Sequence, residues 1–238
     1  MDFAFSEEQE MLRRSARDFL TKECSSKVVR RLMEADDSYD PALWKKIAGL
    51  GWTALGIPEA YGGVGSFLDL IVVLEEAGRA LLPGPFFATM GLAVPALIEA
   101  GTEAQKKEAL GAIASGEARA TLALTEPAGR WDATGITLEA KPVGGGWQLD
   151  GVKLFVPDAE HADYIVVAAR TRGEGDDGIS LFLVKGRPKG MTVNPLKTLD
   201  MTRRWSEVRF DGVQLEAHAL MGAPHTAWPR LKRALEWG

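Results

Sequence analysis

Cysteine, long apolar runs and histidine are all scarce in this sequence, and each scarcity excludes a class of protein. The single cysteine among 238 residues, Cys24, excludes an internal disulfide and a multi-cysteine metal cluster and points to a reducing compartment. The longest apolar stretch, 86–98, is interrupted by Gly91 and Pro95 and falls short of the roughly 20 residues that cross a bilayer. We therefore expect a cytoplasmic protein without a transmembrane segment.

Excess positive charge is also lacking. The 28 basic and 33 acidic residues leave a net charge of −5 and a pI near 5.4, so no global field attracts nucleic acid or an anionic membrane. The amino terminus has neither the basic region nor the apolar region of a signal or transit peptide. We expect the chain to remain where it is made and to bind neither nucleic acid nor membrane.

The sequence also lacks short motifs that identify a particular catalytic or binding chemistry. His161, His218 and His225 lie singly in the second half, which favours surface or turn positions over a metal site. The glycine-rich segment 61–65 follows no strand, so we interpret it as a loop between helices, with a phosphate site as the alternative. The sequence matches no nucleotide-binding, zinc-helix or nucleophile-elbow signature.

The first half has the start signals and apolar spacing of consecutive helices. Four pairs of residues resemble helix N-caps or cap-and-proline starts, and the run after Ser66 is apolar nearly all round, as in a buried central helix. A further helix is predicted to begin at Pro85. We predict an all-α helical bundle over residues 1–117. The start pairs are Ser6 with Gln9, Asp40 with Pro41, Ser66 with Asp69, and Thr102 with Gln105.

Near residue 118 the pattern changes to short β-prone runs separated by turn residues. Asp150-Gly151, Asp211-Gly212 and a triple glycine at 144–146 supply the positive φ angles that antiparallel turns need. The prediction is an α+β multidomain fold, with an antiparallel β-barrel or sandwich over 118–225 and a new helix starting within 226–238. The predicted strands are 119–125, 135–141, 147–149, 152–156, 164–170, 179–184, 191–195 and 207–210.

Four segments of the chain form a recognisable series, namely Phe5-Ser6-Glu7-Glu8-Gln9, Pro58-Glu59-Ala60-Tyr61-Gly62-Gly63, Leu124-Thr125-Glu126-Pro127 and Asp150-Gly151-Val152-Lys153. In this order they resemble the acyl-CoA dehydrogenase family. The likeness runs along essentially the whole chain and covers the first two domains of that family, an amino-terminal helical bundle and a middle β domain. The third, carboxy-terminal helical domain of the family is expected to begin near Thr226, so most of it is not in this sequence.

This resemblance implies an FAD-dependent enzyme that desaturates the α,β bond of an acyl-CoA thioester and passes electrons to an electron-transfer flavoprotein. By the same resemblance, Leu124 and Thr125 hold the pyrimidine edge of the flavin, and Phe155 covers one of its faces beside Pro157. The catalytic glutamate of the family belongs to the third domain, and no residue here matches it. We therefore expect no catalytic base within this chain.

Two departures from the family pattern concern the cofactor and the substrate. Pro157 stands where the family usually has a threonine or serine aimed at the flavin N5, and proline has neither a hydroxyl nor an N–H to donate. Trp131 replaces a small serine near the thioester and is expected to narrow the substrate channel. Arg130 before it is a candidate partner for a pyrophosphate of FAD or CoA.

Three functions remain open at this stage. The first is an acyl-CoA dehydrogenase whose sequence is incomplete or a natural short form. The second is a non-catalytic partner subunit that completes a heteromeric dehydrogenase, and either hypothesis implies a homo- or hetero-oligomer. The third and weakest is a flavin monooxygenase on the same scaffold, since nothing in the sequence indicates oxygen activation.

Overall fold

Helices form the first half of the chain, as predicted. The computed structural model describes residues 4–35 and 39–237. Within those ranges no helix has the length and apolarity that a membrane span requires. The helices are α1 (Glu7–Glu23), α2 (Ser26–Glu34), α3 (Pro41–Gly49), α4 (Phe67–Arg79), α5 (Val94–Ala100), α6 (Glu103–Gln105), α7 (Gly111–Ala114) and α8 (Trp228–Leu235).

The predicted helix starts are confirmed atom by atom. The side chains of Ser6, Ser66 and Thr102 each accept a hydrogen bond from a backbone N–H three residues on, and the side chain at that position bonds back to the cap. Asp40 accepts from two amides of the first turn of α3, which begins with Pro41. These bonds satisfy donors that every helix start leaves unpaired.

Two helical features differ from the prediction. The sequence pattern did not predict α2, and the helix expected from Pro85 to residue 100 instead contains a π-helical turn, Ala88–Ala93, before α5. Pro95 lacks the N–H that would bond four residues back, which fits a widened turn ahead of it. In that turn Thr89 donates through Oγ1 to the carbonyl of Ala120, 3.0 Å away.

The second half forms one eight-stranded sheet in the order β6-β7-β3-β2-β4-β5-β8, with β1 pairing β4 off that path. Most pairings are antiparallel, as predicted, but β1 and β2 each pair with β4 in parallel. Among the described strands the two ends of the path do not pair, so the sheet is open and not a closed barrel. The strands are β1 (Ala120–Ala123), β2 (Glu139–Val143), β3 (Gly146–Pro157), β4 (Tyr164–Arg170), β5 (Ile179–Lys185), β6 (Met191–Leu196), β7 (Trp205–Leu215) and β8 (Leu220–Met221).

Two of the three predicted turns are wrong. Gly144 and Gly145 make the β2–β3 hairpin with φ angles of +59° and +84°, but Asp150-Gly151 and Asp211-Gly212 lie inside β3 and β7. Gly151 marks a bulge in the β3–β7 pairing. A Cβ there would come within 3.0 Å of the Leu138 side chain. Glycine is therefore required because Leu138 approaches the backbone closely, and not because the chain reverses direction.

Two hydrophobic cores lie on the two faces of the sheet. The first joins the helices to one face of β4 and β5 and includes Leu231 of α8. The second lies between β4 and β5 and the β3–β7 strands, and contains Phe182 and Val156. Because helices and strands share the first core, the proposed division at residue 118 separates two kinds of secondary structure and not two separate cores.

We predict that Phe182→Ala destabilises the fold by about 3–5 kcal/mol, because it opens a cavity in the second core. Phe182 is fully buried and contacts the Trp147 ring at 5.3 Å. Phe155→Ala makes the same truncation at a half-exposed position and should change the free energy of unfolding by less than about 1 kcal/mol. Urea unfolding measures both, and equal losses would contradict this description of the core.

Candidate functional site

Two chain segments meet where the sequence analysis placed the cofactor. Leu124 and Thr125 follow the end of β1, and Phe155 lies near the end of β3. The backbone N–H of Leu154 donates to the carbonyl of Thr125 at 2.8 Å. All four predicted flavin-binding residues are therefore on two adjoining stretches of backbone, which we call the cradle (residues 124–126 and 153–157).

A buried ion pair joins the two halves of the cradle. Lys153 Nζ lies 2.7 Å from Glu126 Oε1, and the two side chains are 0% and 3% exposed. The same ammonium donates to the carbonyl of Leu124 at 3.0 Å. Lys153 is therefore bonded to the backbone of the residue before Thr125 and to the side chain of the residue after it.

Glu126 also binds the segment that leads into β2. Its Oε2 accepts from the N–H and the hydroxyl of Thr137, and its Oε1 accepts from the N–H of Leu138. Burial lowers the pKa of Lys153 to about 8, against the opposing effect of the Glu126 charge. For Glu126, burial acts to raise the pKa, but Lys153 and the hydrogen bonds outweigh it and the pKa is lowered.

Phe155 has a strained backbone. Its φ is +52°, a region that a bulky side chain adopts at a cost of about 1–3 kcal/mol. It lies in a second irregularity of the β3–β7 pairing, between Lys153 and Val156. While Val156 is buried in the second core, Phe155 is 50% exposed, so the bulge places an aromatic residue at the surface.

Beyond Phe155 the chain turns back into the protein. Pro157 is buried, and its carbonyl accepts from Thr121 Oγ1 at 2.6 Å. Asp158 follows with φ of +50° and only 2% exposure, and its N–H donates to the carbonyl of Arg204. Burial raises the pKa of the Asp158 carboxyl to about 6, an effect that Arg203 opposes and Glu160 reinforces.

The cradle has features that suit a flat aromatic cofactor. Thr125 is half-buried, and among residues 4–35 and 39–237 no side-chain hydrogen bond occupies its hydroxyl. Phe155 offers an outward ring face close by. Pro157 has no hydrogen to donate, and its carbonyl is already engaged by Thr121. The residues present therefore fit the edge and the face of a flavin, with no hydrogen-bond donor at Pro157.

The two predicted substrate residues lie on the connection between β1 and β2. Trp131 is 77% exposed. Arg130 donates to Asp132 at 2.8 Å, while Asp132 caps the short turn Ala133–Gly135. Hydrogen bonds from Thr134 and then Arg130 lower the pKa of Asp132 to about 2. The guanidinium is therefore held at the surface of this loop.

Sequence reasoning missed the ion pair and the buried aspartate. Both ends of the ion pair stood inside the quoted segments, Glu126 in one and Lys153 in another, yet they are 27 residues apart. A usable signal was Lys153 itself, a charged residue in the predicted strand 152–156, whose other residues are apolar. Asp158 gave no signal beyond its place directly after Pro157.

Comparisons with known proteins identify the family to which this chain belongs. Residues 6–117 match the family model for the acyl-CoA dehydrogenase N-terminal domain, and residues 121–213 match that for the acyl-CoA dehydrogenase middle domain. The chain belongs to the acyl-CoA dehydrogenase family, as the resemblance indicated.

Three relatives illustrate the likeness. The mitochondrial long-chain specific acyl-CoA dehydrogenase of Sus scrofa is 31% identical over 244 residues, covering 97% of this chain and 55% of that protein. The butyryl-CoA dehydrogenase structure from Megasphaera elsdenii has a TM-score of 0.87 at 28% identity, covering 100% of this chain and 64% of that one. The ChsE4-ChsE5 complex of Mycobacterium tuberculosis includes a chain with a TM-score of 0.83 at 25% identity, covering 100% and 61%. This chain thus spans between about half and two thirds of these proteins.

We predict that Asp158→Asn stabilises the protein increasingly as pH rises from 4 to 7. Well below pH 3.8 the carboxyl is protonated in both states, whereas above pH 6 it is ionised in both and only the folded state bears the cost of a buried charge. With the pKa moving from 3.8 to about 6, the gain approaches about 3 kcal/mol at pH 7. Asparagine also tolerates the positive φ.

Urea unfolding at several pH values measures this gain. Glu76→Gln is the opposite control, since hydrogen bonds from Arg17 and Arg79 outweigh burial and lower the pKa of Glu76 to about 2. Its removal should cost stability at pH 7 and progressively less toward pH 2. A pH-independent gain for Asp158→Asn would show that the carboxylate is not penalised in the fold.

Proposed function

We propose that this chain supplies the flavin-edge half of an FAD-dependent acyl-CoA dehydrogenase, which desaturates the α,β bond of an acyl-CoA thioester and passes electrons to an electron-transfer flavoprotein. The observation that carries the proposal is the meeting of Thr125 and Phe155 in one cradle within a chain of this family. In the proposal, the chain alone is incomplete or inactive.

The residues of the cradle divide the work of holding the cofactor. The hydroxyl and N–H of Thr125, with the adjoining Leu124 backbone, bind the pyrimidine edge, where negative charge collects on reduction. Phe155 covers one face and excludes water from it. When bound, FAD supplies the acceptor for the β hydrogen as hydride. Pro157 lies two residues after Phe155 at the same end of the cradle and donates no hydrogen bond to the flavin.

The substrate side of the proposal rests on the exposed loop after the cradle. Trp131 narrows the entry for the acyl thioester, and Arg130 binds a pyrophosphate oxygen of the bound CoA or FAD after exchanging its contact with Asp132. The glutamate that removes the α proton is expected outside this chain, on a further domain or on another subunit.

A second function, a non-catalytic partner subunit of a heteromeric dehydrogenase, is favoured by Pro157 and Trp131, which weaken the cofactor and substrate contacts. The likeness to a chain in the ChsE4-ChsE5 complex is compatible with such an assembly. In either case the proposal includes homo- or hetero-oligomers with another subunit of the family.

We expect the purified chain, mixed with FAD, to bind the cofactor and perturb its visible spectrum. Thr125→Val should weaken FAD binding by about 2- to 10-fold, because it removes one hydrogen bond of about 0.5–1.5 kcal/mol. Thr192→Val makes the same change at an exposed position of β6 and should leave the affinity unchanged. Equal affinities for the two variants would place the flavin elsewhere, and a chain that binds no FAD favours the partner-subunit function.

A turnover assay tests the missing base. With octanoyl-CoA and an artificial electron acceptor, the FAD-loaded chain should reduce no acceptor above the no-enzyme rate, because no residue of this sequence matches the glutamate of the family. Measurable turnover by the chain alone would refute this part of the proposal.

A further inference from the structure

The Glu126–Lys153 pair has more hydrogen bonds than a simple ion pair. Glu126 accepts from four donors, namely the ammonium, the Thr137 N–H, the Thr137 hydroxyl and the Leu138 N–H. Lys153 in turn donates to Glu126 and to the Leu124 carbonyl. The pair therefore links three stretches of chain, 124–126, 137–138 and 153–154, at one buried point.

Stability alone is a poor reason for such a pair. Removing two charges from water costs several kcal/mol per ion, and well-packed neutral residues of similar size often give an equally stable or more stable protein. A buried pair that is fully hydrogen-bonded does, however, fix the directions of its partners. Here Leu124 and Glu126 flank Thr125 just after β1, and Lys153 lies two residues before Phe155 near the end of β3.

The strained backbone of Phe155 needs neighbouring contacts that hold it in this conformation. A left-handed phenylalanine relaxes unless its neighbours hold it. On its amino-terminal side Lys153 is fully buried in the pair and Leu154 is bonded to Thr125. On its carboxy-terminal side Val156 is buried and the Pro157 carbonyl is bonded to Thr121. The ring is thus held outward by anchors on both sides, and the ion pair is the amino-terminal one.

We propose that Glu126 and Lys153 are positioning residues that preorganise the cradle, holding the Thr125 edge and the Phe155 ring at the spacing that a flavin requires. This inference rests on the proposed function for the identity of the ligand. The preorganisation itself is a property of the chain without cofactor and is measurable there.

Three variants separate positioning from stability. Lys153→Met strands the buried Glu126 carboxylate, so its urea midpoint should fall sharply. The double variant Glu126→Gln with Lys153→Met removes both charges at nearly constant volume, and its midpoint should return close to that of the parent protein. Glu76→Gln is the matched control, because Glu76 is a buried carboxylate that pairs with Arg17 and Arg79 on the helices.

The first readout is hydrogen exchange at the Leu154 amide in the cofactor-free protein. The double variant should exchange this amide at least 10-fold faster than the parent, because a methionine side chain in place of Lys153 cannot donate to the Leu124 carbonyl and the cradle loosens. The Glu76→Gln control should not change it beyond its effect on global stability. A parent-like exchange rate in the double variant overturns the proposal, whatever the protein binds.

The second readout is the dissociation constant for FAD. We expect the double variant to bind at least 10-fold more weakly despite its recovered midpoint, whereas Glu76→Gln binds as the parent does. Parent-like FAD affinity in the double variant also overturns the proposal and leaves the proposed function standing. If the parent binds no FAD but Leu154 exchange still responds, the flavin assignment fails and the positioning role is supported.

Discussion

One buried salt bridge joins the two halves of the cradle. Glu126 and Lys153 are nearly inaccessible to water, and their side chains bond to each other, to the Leu124 carbonyl and to residues 137–138. Two charges in such surroundings are tolerated only when their geometry is complete. This requirement explains why the carboxylate collects four donors and why the ammonium reaches a backbone carbonyl as well.

Around that pair the backbone takes conformations that ordinary strands avoid. Phe155 and Asp158 both have positive φ angles, and the pairing of β3 with β7 is irregular just before them. Strain of this kind gathers where function fixes a side chain against its own preference. The phenylalanine faces outward, while the aspartate is buried with a raised pKa, so four residues combine an exposed aromatic ring with a poorly solvated acid.

The sequence predicted best what is decided locally. The capping boxes at Ser6, Ser66 and Thr102 involve partners three residues apart, so the helix starts could be identified directly. The prediction of a turn at Asp150-Gly151 was wrong because an Asp-Gly pair suits a turn and a bulge equally. Only the close approach of Leu138 to Gly151 decides between the two.

The candidate site was predictable in part, through resemblance to a family. The segments containing Thr125 and Phe155 were identified in that way, and the structure brings them together. The bond between Glu126 and Lys153 crosses 27 residues and two strands, and no periodicity encodes such a contact. The backbone angle of Phe155 was equally hidden, because it results from how two strands fit and not from the residue itself.

The hydrogen bonds of Thr89 have a mechanical consequence. This threonine donates to the carbonyl of Ala120 and accepts from its N–H, so the π-helical turn grips the first residue of β1. That strand is only four residues long, and Thr125 follows two residues after it. Because this strand is short and fully buried, the two hydrogen bonds of Thr89 tie the start of the segment that leads to Thr125 directly to the helix at residues 88–100.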